Sequence, residues 1–274
     1  MTQSTISVVI PTHDRPVFLV EAVESALAQT VGILEVIVVD DCSAIDLRPV
    51  LARFGDKVRF ERLPRNSGAN VARNRGIELA RGDLIGFLDD DDLWIPEKSA
   101  LQSAALKKGV AACLCATRAM DGTSRAKRDR RLVDQDWLRA STPCGTSGLL
   151  ARRSIMQAEC FDPAIPRGQD WDVFVRLAQH GPIAYIDQPL YLRRSGHDRI
   201  TTAAFHKTPA ELLTSAAALR KHRDWLGEDA YRRRLARVLL SFISKRKSKL
   251  RYISAAIRHA GPRATLAELR KKVR

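Results

Sequence analysis

The chain has 274 residues, 45% of them apolar and 28% charged. That length and apolar share suit one large α/β domain, or a domain of about 200 residues with an appendage, and exclude a chain disordered throughout. The net charge of +15 is uneven: residues 1–200 carry 27 Lys+Arg against 26 Asp+Glu, and residues 201–274 carry 19 against 5. A balanced domain is therefore followed by a segment suited to something anionic.

The first hundred residues alternate β-branched runs with helical spacing. Strands are predicted at 6–10, 35–39, 58–62 and 84–88. Helices are predicted at 17–29, 46–53 and 69–80, the last closed by Gly82. This rhythm predicts a mainly parallel, Rossmann-like sheet flanked by helices. Further on, strands are expected at 111–117, 148–151, 183–186 and 190–193, with helices at 153–158 and 171–179. Residues 121–131 read as a polar loop with Arg125, Lys127, Arg128, Arg130 and Arg131 clustered. From Pro209 the pattern is helical, at 210–222, 229–244 and 248–259, with Gly227 and Gly261-Pro262 as breaks. Two domains are expected, 1–205 and a basic helical region at 206–274.

No apolar run approaches the roughly 18 residues of a spanning helix. The chain opens on a strand rather than a basic, then apolar, leader, so a cytoplasmic setting is expected. The five cysteines show neither C-x-x-C nor zinc spacing and read as reduced thiols.

Acidic residues stand where such a sheet places its chemistry, outside the carboxyl ends of strands. Asp40-Asp41 ends one strand and Asp89-Asp90-Asp91-Asp92 ends another, while Asp170 opens a helix after Pro166-Arg167-Gly168. Four consecutive aspartates repel one another unless a cation or full hydration screens them. Asp89 and Asp91, two apart, point the same way in an extended segment and suit one hard divalent ion; an acidic cap for the next helix is the alternative. Asp41 either turns the chain or accepts a nucleobase N–H. Asp170 is either an N-cap or a general base.

Five segments in this order carry a resemblance: Ser7-Val-Val-Ile-Pro-Thr-His-Asp-Arg15, Val38-Val-Asp-Asp-Cys-Ser43, Asn66-Ser-Gly-Ala-Asn-Val-Ala-Arg-Asn74, Phe87-Leu-Asp-Asp-Asp-Asp-Leu-Trp94 and Gly168-Gln-Asp-Trp-Asp172. Together they resemble glycosyltransferase family 2, the inverting enzymes of the GT-A fold. The likeness covers about 200 residues and leaves the C-terminal helices unmatched. It implies that Pro11, Thr12, Arg15, Asp41, Gly68, Arg73, Asn74 and Asp90 bind a nucleotide-sugar donor, with a UDP-sugar the first choice. It implies that Asp89, Asp91 and His197 hold Mn²⁺ or Mg²⁺, and that Asp170 is the catalytic base. The chain departs from the family pattern at Asp14, where Asn is usual, and at Gln169, where Glu is common.

The expected activity is inverting transfer of a sugar to a hydroxyl on a glycan or lipid-linked acceptor, in bacterial surface polysaccharide or glycolipid assembly. A sugar nucleotidyltransferase is the rival, but residues 11–15 lack the Gly-rich loop that would cradle a triphosphate. A non-catalytic nucleotide- or glycan-binding protein with the same fold is the other. The basic C-terminal helices either pack on the domain or meet the anionic inner face of the plasma membrane. They carry no nucleic-acid reader motif, and no nucleic-acid partner is expected.

Overall fold

A computed structural model describes residues 4–123, 129–194 and 205–273. The chain forms two compact units. The first comprises residues 1–138, 142–163 and 173–196. The second comprises 139–141, 164–172 and 197–274.

The first unit holds a nine-stranded mixed sheet in the order β3-β2-β1-β4-β8-β6-β9-β5, with β7 paired to β9. The strands are β1 (Ile6–Thr12), β2 (Glu35–Asp40), β3 (Val58–Arg62), β4 (Leu84–Phe87), β5 (Asp92–Trp94), β6 (Ala112–Ala119), β7 (Leu132–Val133), β8 (Leu150–Arg152) and β9 (Ile183–Arg193). β1 runs parallel to β2 and β4, and β2 to β3. Every residue of β1, β2 and β4 is buried, which is why these strands are largely apolar in sequence. The α/β rhythm thus gives the expected parallel half. The other half alternates: β8 runs antiparallel to β4 and β6, β5 and β7 antiparallel to β9, and β9 parallel to β6.

Helices α1 (Pro16–Leu27) and α3 (Ala69–Leu79) join the parallel strands, with the short α2 (Arg48–Leu51) between β2 and β3. α3 lies close against β1 because it carries Gly76: a Cβ there would stand 2.3 Å from Val9 Cγ1. α4 (Lys98–Ala105), α5 (Gln135–Ala140) and α6 (Arg153–Ala158) follow.

Two sequence expectations change in this half. The strands expected at 183–186 and 190–193 are one strand, β9, whose ladder with β6 shifts register around Ala116. The three-residue β5 begins at the last residue of the acidic run and pairs Asp92–Trp94 with Tyr191–Arg193.

Among the described residues, the second unit is helical apart from short loops. The helix expected at 210–222 is broken into α8 (Pro209–Thr214), α9 (Ala217–Lys221) and α10 (Arg223–Leu226). Thr208 and Glu211 form a capping box at the start of α8. The Arg220 guanidinium donates to the Leu213 and Thr214 carbonyls freed at the break. α11 (Glu228–Leu239) stops before Phe242, which takes a left-handed φ of 57°. α12 (Lys249–Ala260) follows the expected course, and the sequence reading did not foresee α13 (Pro262–Val273). α11, α12 and α13 pack on one another around Leu235, Leu239 and Ala256.

Helix α7 (Gln169–Leu177) crosses the boundary in sequence: its residues to Asp172 belong to the second unit and the rest to the first.

Candidate active site

The site is built at one edge of the parallel sheet. Register places Thr12 beside Asp40 and Val9 beside Phe87, so the chain leaves β1, β2 and β4 side by side. From these ends come Thr12, Asp41 and the run Asp89–Asp92.

The acidic run is a turn, with Asp92 N–H donating to the Asp89 carbonyl at 3.0 Å. Turning brings ligand oxygens of Asp89, Asp91 and Asp92 within 4.8 Å of one another. A single hard divalent ion, with oxygens roughly 2.0–2.6 Å away, spans that spacing. Asp92 thus joins the expected Asp89 and Asp91 as a carboxylate able to share one ion. Alternation along an extended strand is not what assembles the three, and Asp92 was not foreseen. His197 lies outside the described residues.

Cationic side chains brace this turn. Arg73, 3% exposed, donates through Nη2 to Asp89 Oδ1 at 2.7 Å. Its guanidinium lies over the Phe161 ring, 5.2 Å from the centroid, and donates to Asn70 Oδ1. Arg15 Nη1 reaches Asp90 Oδ1 at 3.1 Å and Asp91 Oδ2 at 3.3 Å. Thr12 Oγ1 donates to Asp90 Oδ2 at 2.8 Å. Burial pushes the Asp90 carboxyl up to about 6, against the pull of Arg15 and Thr12 and with the push of Asp91 and Asp89.

Asp41 is buried, and its two oxygens accept the Ser67 and Gly68 N–H groups, each at 2.7 Å. Gly68 has φ 91° and opens α3, a conformation glycine adopts without Cβ strain. The carboxylate thus fixes the loop that leads into the Arg73 helix. Pro11 is buried in β1.

Asn74, expected among the donor-binding residues, follows Arg73 on α3. Its carboxamide donates to the Phe161 carbonyl at 2.7 Å and accepts the Phe161 N–H at 2.8 Å. Both polar ends are committed to the backbone of the residue on which Arg73 rests.

Residue 14 has φ 53°, a left-handed conformation that Asn and Asp tolerate better than other non-glycine residues. Asp14 accepts the Ala44 N–H at 2.7 Å, as an Asn oxygen would. That accounts for Asp where Asn is the usual residue.

Ser147 was missed. It is fully buried, accepts the Asp89 N–H at 3.1 Å and donates to Asp92 Oδ2 at 2.8 Å. Its carbonyl accepts from Trp94 Nε1 at 3.0 Å. Lys98, fully buried, places Nζ 3.9 Å from the centroid of the Trp94 ring and 2.6 Å from Gln102 Oε1. Desolvation pulls that ammonium down to about 8. Burial pushes the Cys113 and Cys115 thiols up to about 12 and 11, which removes them as nucleophiles near neutrality.

Asp170 is half-buried in the first turn of α7, after Gly168 with φ 81°. It belongs to the second unit, and the acidic triad to the first.

Residues 7–161 match the model of glycosyl transferase family 2. Chondroitin synthase of Escherichia coli is 29% identical over 200 residues, 69% of this chain and 28% of that enzyme. The chain spans 28% and 38% of the length of two such relatives. Among solved structures, S. aureus TarS 1–349 in complex with UDP-GlcNAc superposes with a TM-score of 0.70 at 19% identity, covering 96% of this chain and 83% of that 1–349 chain. The mannosyltransferase PcManGT from Pyrobaculum calidifontis, in complex with GDP-Man and Mn²⁺, gives 0.61 at 17% identity, covering 99% and 80%. These likenesses show the GT-A fold.

Proposed function

The chain belongs to glycosyl transferase family 2, and on that premise we propose that it moves a sugar from a UDP-sugar to a hydroxyl acceptor with inversion at the anomeric carbon. The observation that carries this is the gathering of Asp89, Asp91 and Asp92 beside Arg15 and Arg73 at the carboxyl edge of the parallel strands. An all-oxygen set suits Mn²⁺ or Mg²⁺. When bound there, such an ion would supply Lewis-acid stabilisation of the departing diphosphate. That TarS and PcManGT were solved with nucleotide sugars, and PcManGT with Mn²⁺, supports this assignment.

The chain's own residues do the rest. Thr12, Arg15, Asp41, Gly68 and Asp90 shape the donor pocket, with Asp41 holding the Ser67-Gly68 loop in place. Arg15, more exposed than Arg73, offers further guanidinium donors to phosphate oxygens, while both brace the acidic turn. Asp170 takes the acceptor's proton as its oxygen attacks, a contribution of roughly 10²–10⁴ in rate for a positioned base.

The acceptor is a glycan or a lipid-linked sugar, and the setting is cytoplasmic, at the inner face of the membrane. No helix among the described residues is long and apolar enough to cross a membrane. Residues 241–274 carry 11 Lys+Arg against the single acid Glu268. Leu250, Ile257 and Leu266 there are 81%, 47% and 51% exposed. Apolar side chains among basic ones suit an anionic leaflet, at about 1 kcal/mol per basic residue near the surface.

A thermal-shift panel of UDP, GDP, ADP and CDP, each with and without Mn²⁺, tests the donor assignment. UDP should raise Tm only with the ion; a shift indifferent to Mn²⁺ would remove the metal site from the account. Sedimentation with phosphatidylserine vesicles against neutral vesicles tests the membrane reading, which equal binding to both contradicts.

A further inference from the structure

The first turn of α7 carries Asp170 together with two residues that are almost fully buried, Trp171 at 1% and Asp172 at 0% exposure. A buried carboxylate needs partners, and the C-terminal helices supply Asp172 with two of them. His222 Nε2 donates to Asp172 Oδ1 at 2.7 Å, and Lys221 Nζ stands 3.0 Å from the same oxygen. His222, at the junction of α9 and α10, is itself buried.

Trp171 is held by the same region. Its ring meets His222 edge-on at 5.3 Å and Trp225 at 6.3 Å between centroids. The Arg234 guanidinium of α11 lies 4.2 Å from the Trp171 ring centroid. Three helices of the C-terminal region thus grip the two residues that follow Asp170.

We propose that His222 acts as a positioning residue: by holding Asp172 it fixes the turn from which Asp170 projects, so that the basic C-terminal region sets the catalytic base. This rests on the reading of Asp170 as that base. A reacting group displaced by about an ångström costs on the order of 10²-fold in rate. Charge-assisted hydrogen bonds to a buried carboxylate are directional enough to prevent such a displacement. The arrangement also gives the C-terminal region a catalytic role independent of what its exposed face meets.

The test uses the full chain and four variants: His222→Leu, His222→Asn, His222→Gln and Asp170→Asn. Turnover is read as UDP release from whichever of UDP-glucose, UDP-galactose and UDP-N-acetylglucosamine the wild type consumes fastest. Affinity is read with UDP and Mn²⁺ by calorimetry. The Gln amide replaces the Nε2 donor, the shorter Asn amide does not reach, and Leu has none.

The Leu and Asn variants should lose about 10- to 100-fold in kcat with donor KM and UDP affinity unchanged, while Gln stays within about threefold of wild type. If Leu does not fold, the Asn variant carries the comparison. Wild-type kcat in the Leu or Asn variant beside an inactive Asp170→Asn overturns the proposal. So does a Gln variant as slow as the other two, or a loss shared by kcat and UDP affinity, each the mark of a structural role alone. A wild-type rate in Asp170→Asn removes the base assignment itself, which is a separate result.

Discussion

Ser147 Oγ donates to Asp92 Oδ2 at 2.8 Å and at the same time accepts the Asp89 N–H at 3.1 Å. One buried hydroxyl from a short 3-10 turn, 55 residues on from Asp92, therefore closes the acidic turn at both ends. Outer partners of this kind orient metal ligands, and their loss typically costs 10- to 100-fold in affinity. Ser147→Ala should weaken Mn²⁺ binding by about tenfold, read from free Mn²⁺ by electron paramagnetic resonance. Unchanged affinity would separate Ser147 from the ion site.

Asp91 takes Arg15 on one oxygen and belongs to the acidic triad. Asp91→Ala should abolish the Mn²⁺-dependent part of UDP binding and leave a weak, metal-indifferent remainder. Calorimetry with and without EDTA separates the two. Retained metal coupling in this variant would place the ion elsewhere.

Cys42 has φ 62°, a left-handed conformation that costs a side chain with a Cβ roughly 1–2 kcal/mol. Glycine removes that cost and adds back roughly 0.5–1 kcal/mol of backbone entropy. Cys42→Gly should therefore stabilise the protein by about 0.5–1 kcal/mol, seen as a higher midpoint in urea. A lower midpoint would show that the thiol's packing outweighs its backbone strain.

Lys98 is fully buried and its ammonium is pulled down to about 8 by desolvation, from an ordinary value of 10.5. Between those values the unfolded chain binds the proton and the folded chain does not, so Lys98 raises stability as pH rises from about 8 to 10.5. Lys98→Met lacks this dependence. The stability of wild type relative to Lys98→Met should therefore climb by about 2 kcal/mol from pH 7.5 to pH 10. A flat difference would mean that the Trp94 ring and Gln102 hold the ammonium charged throughout.

How much of this was legible in the sequence follows from how local each feature is. β1, β2 and β4 are buried on both faces, so their residues alone announce them, and the acids at their ends come with them. Asp92 was read past because only the turn of the run, not its spacing, brings it back beside Asp89. Ser147 and Asp92 are 55 residues apart, and His222 and Asp172 are 50 apart; no periodicity links such pairs. Asn74 was placed by resemblance, and only the packing of Phe161 under Arg73 shows what its amide holds. Strand β9 was split in two because Asp187-Gln188-Pro189 reads as a break, whereas its ladder with β6 passes that point by shifting register.

The central claim is tested most directly by Asp170→Asn, with its rate of UDP release and its affinity for UDP and Mn²⁺ measured side by side. The account predicts that kcat falls by about 10²–10⁴ while UDP affinity stays within twofold of wild type. A variant that turns over at the wild-type rate would contradict it.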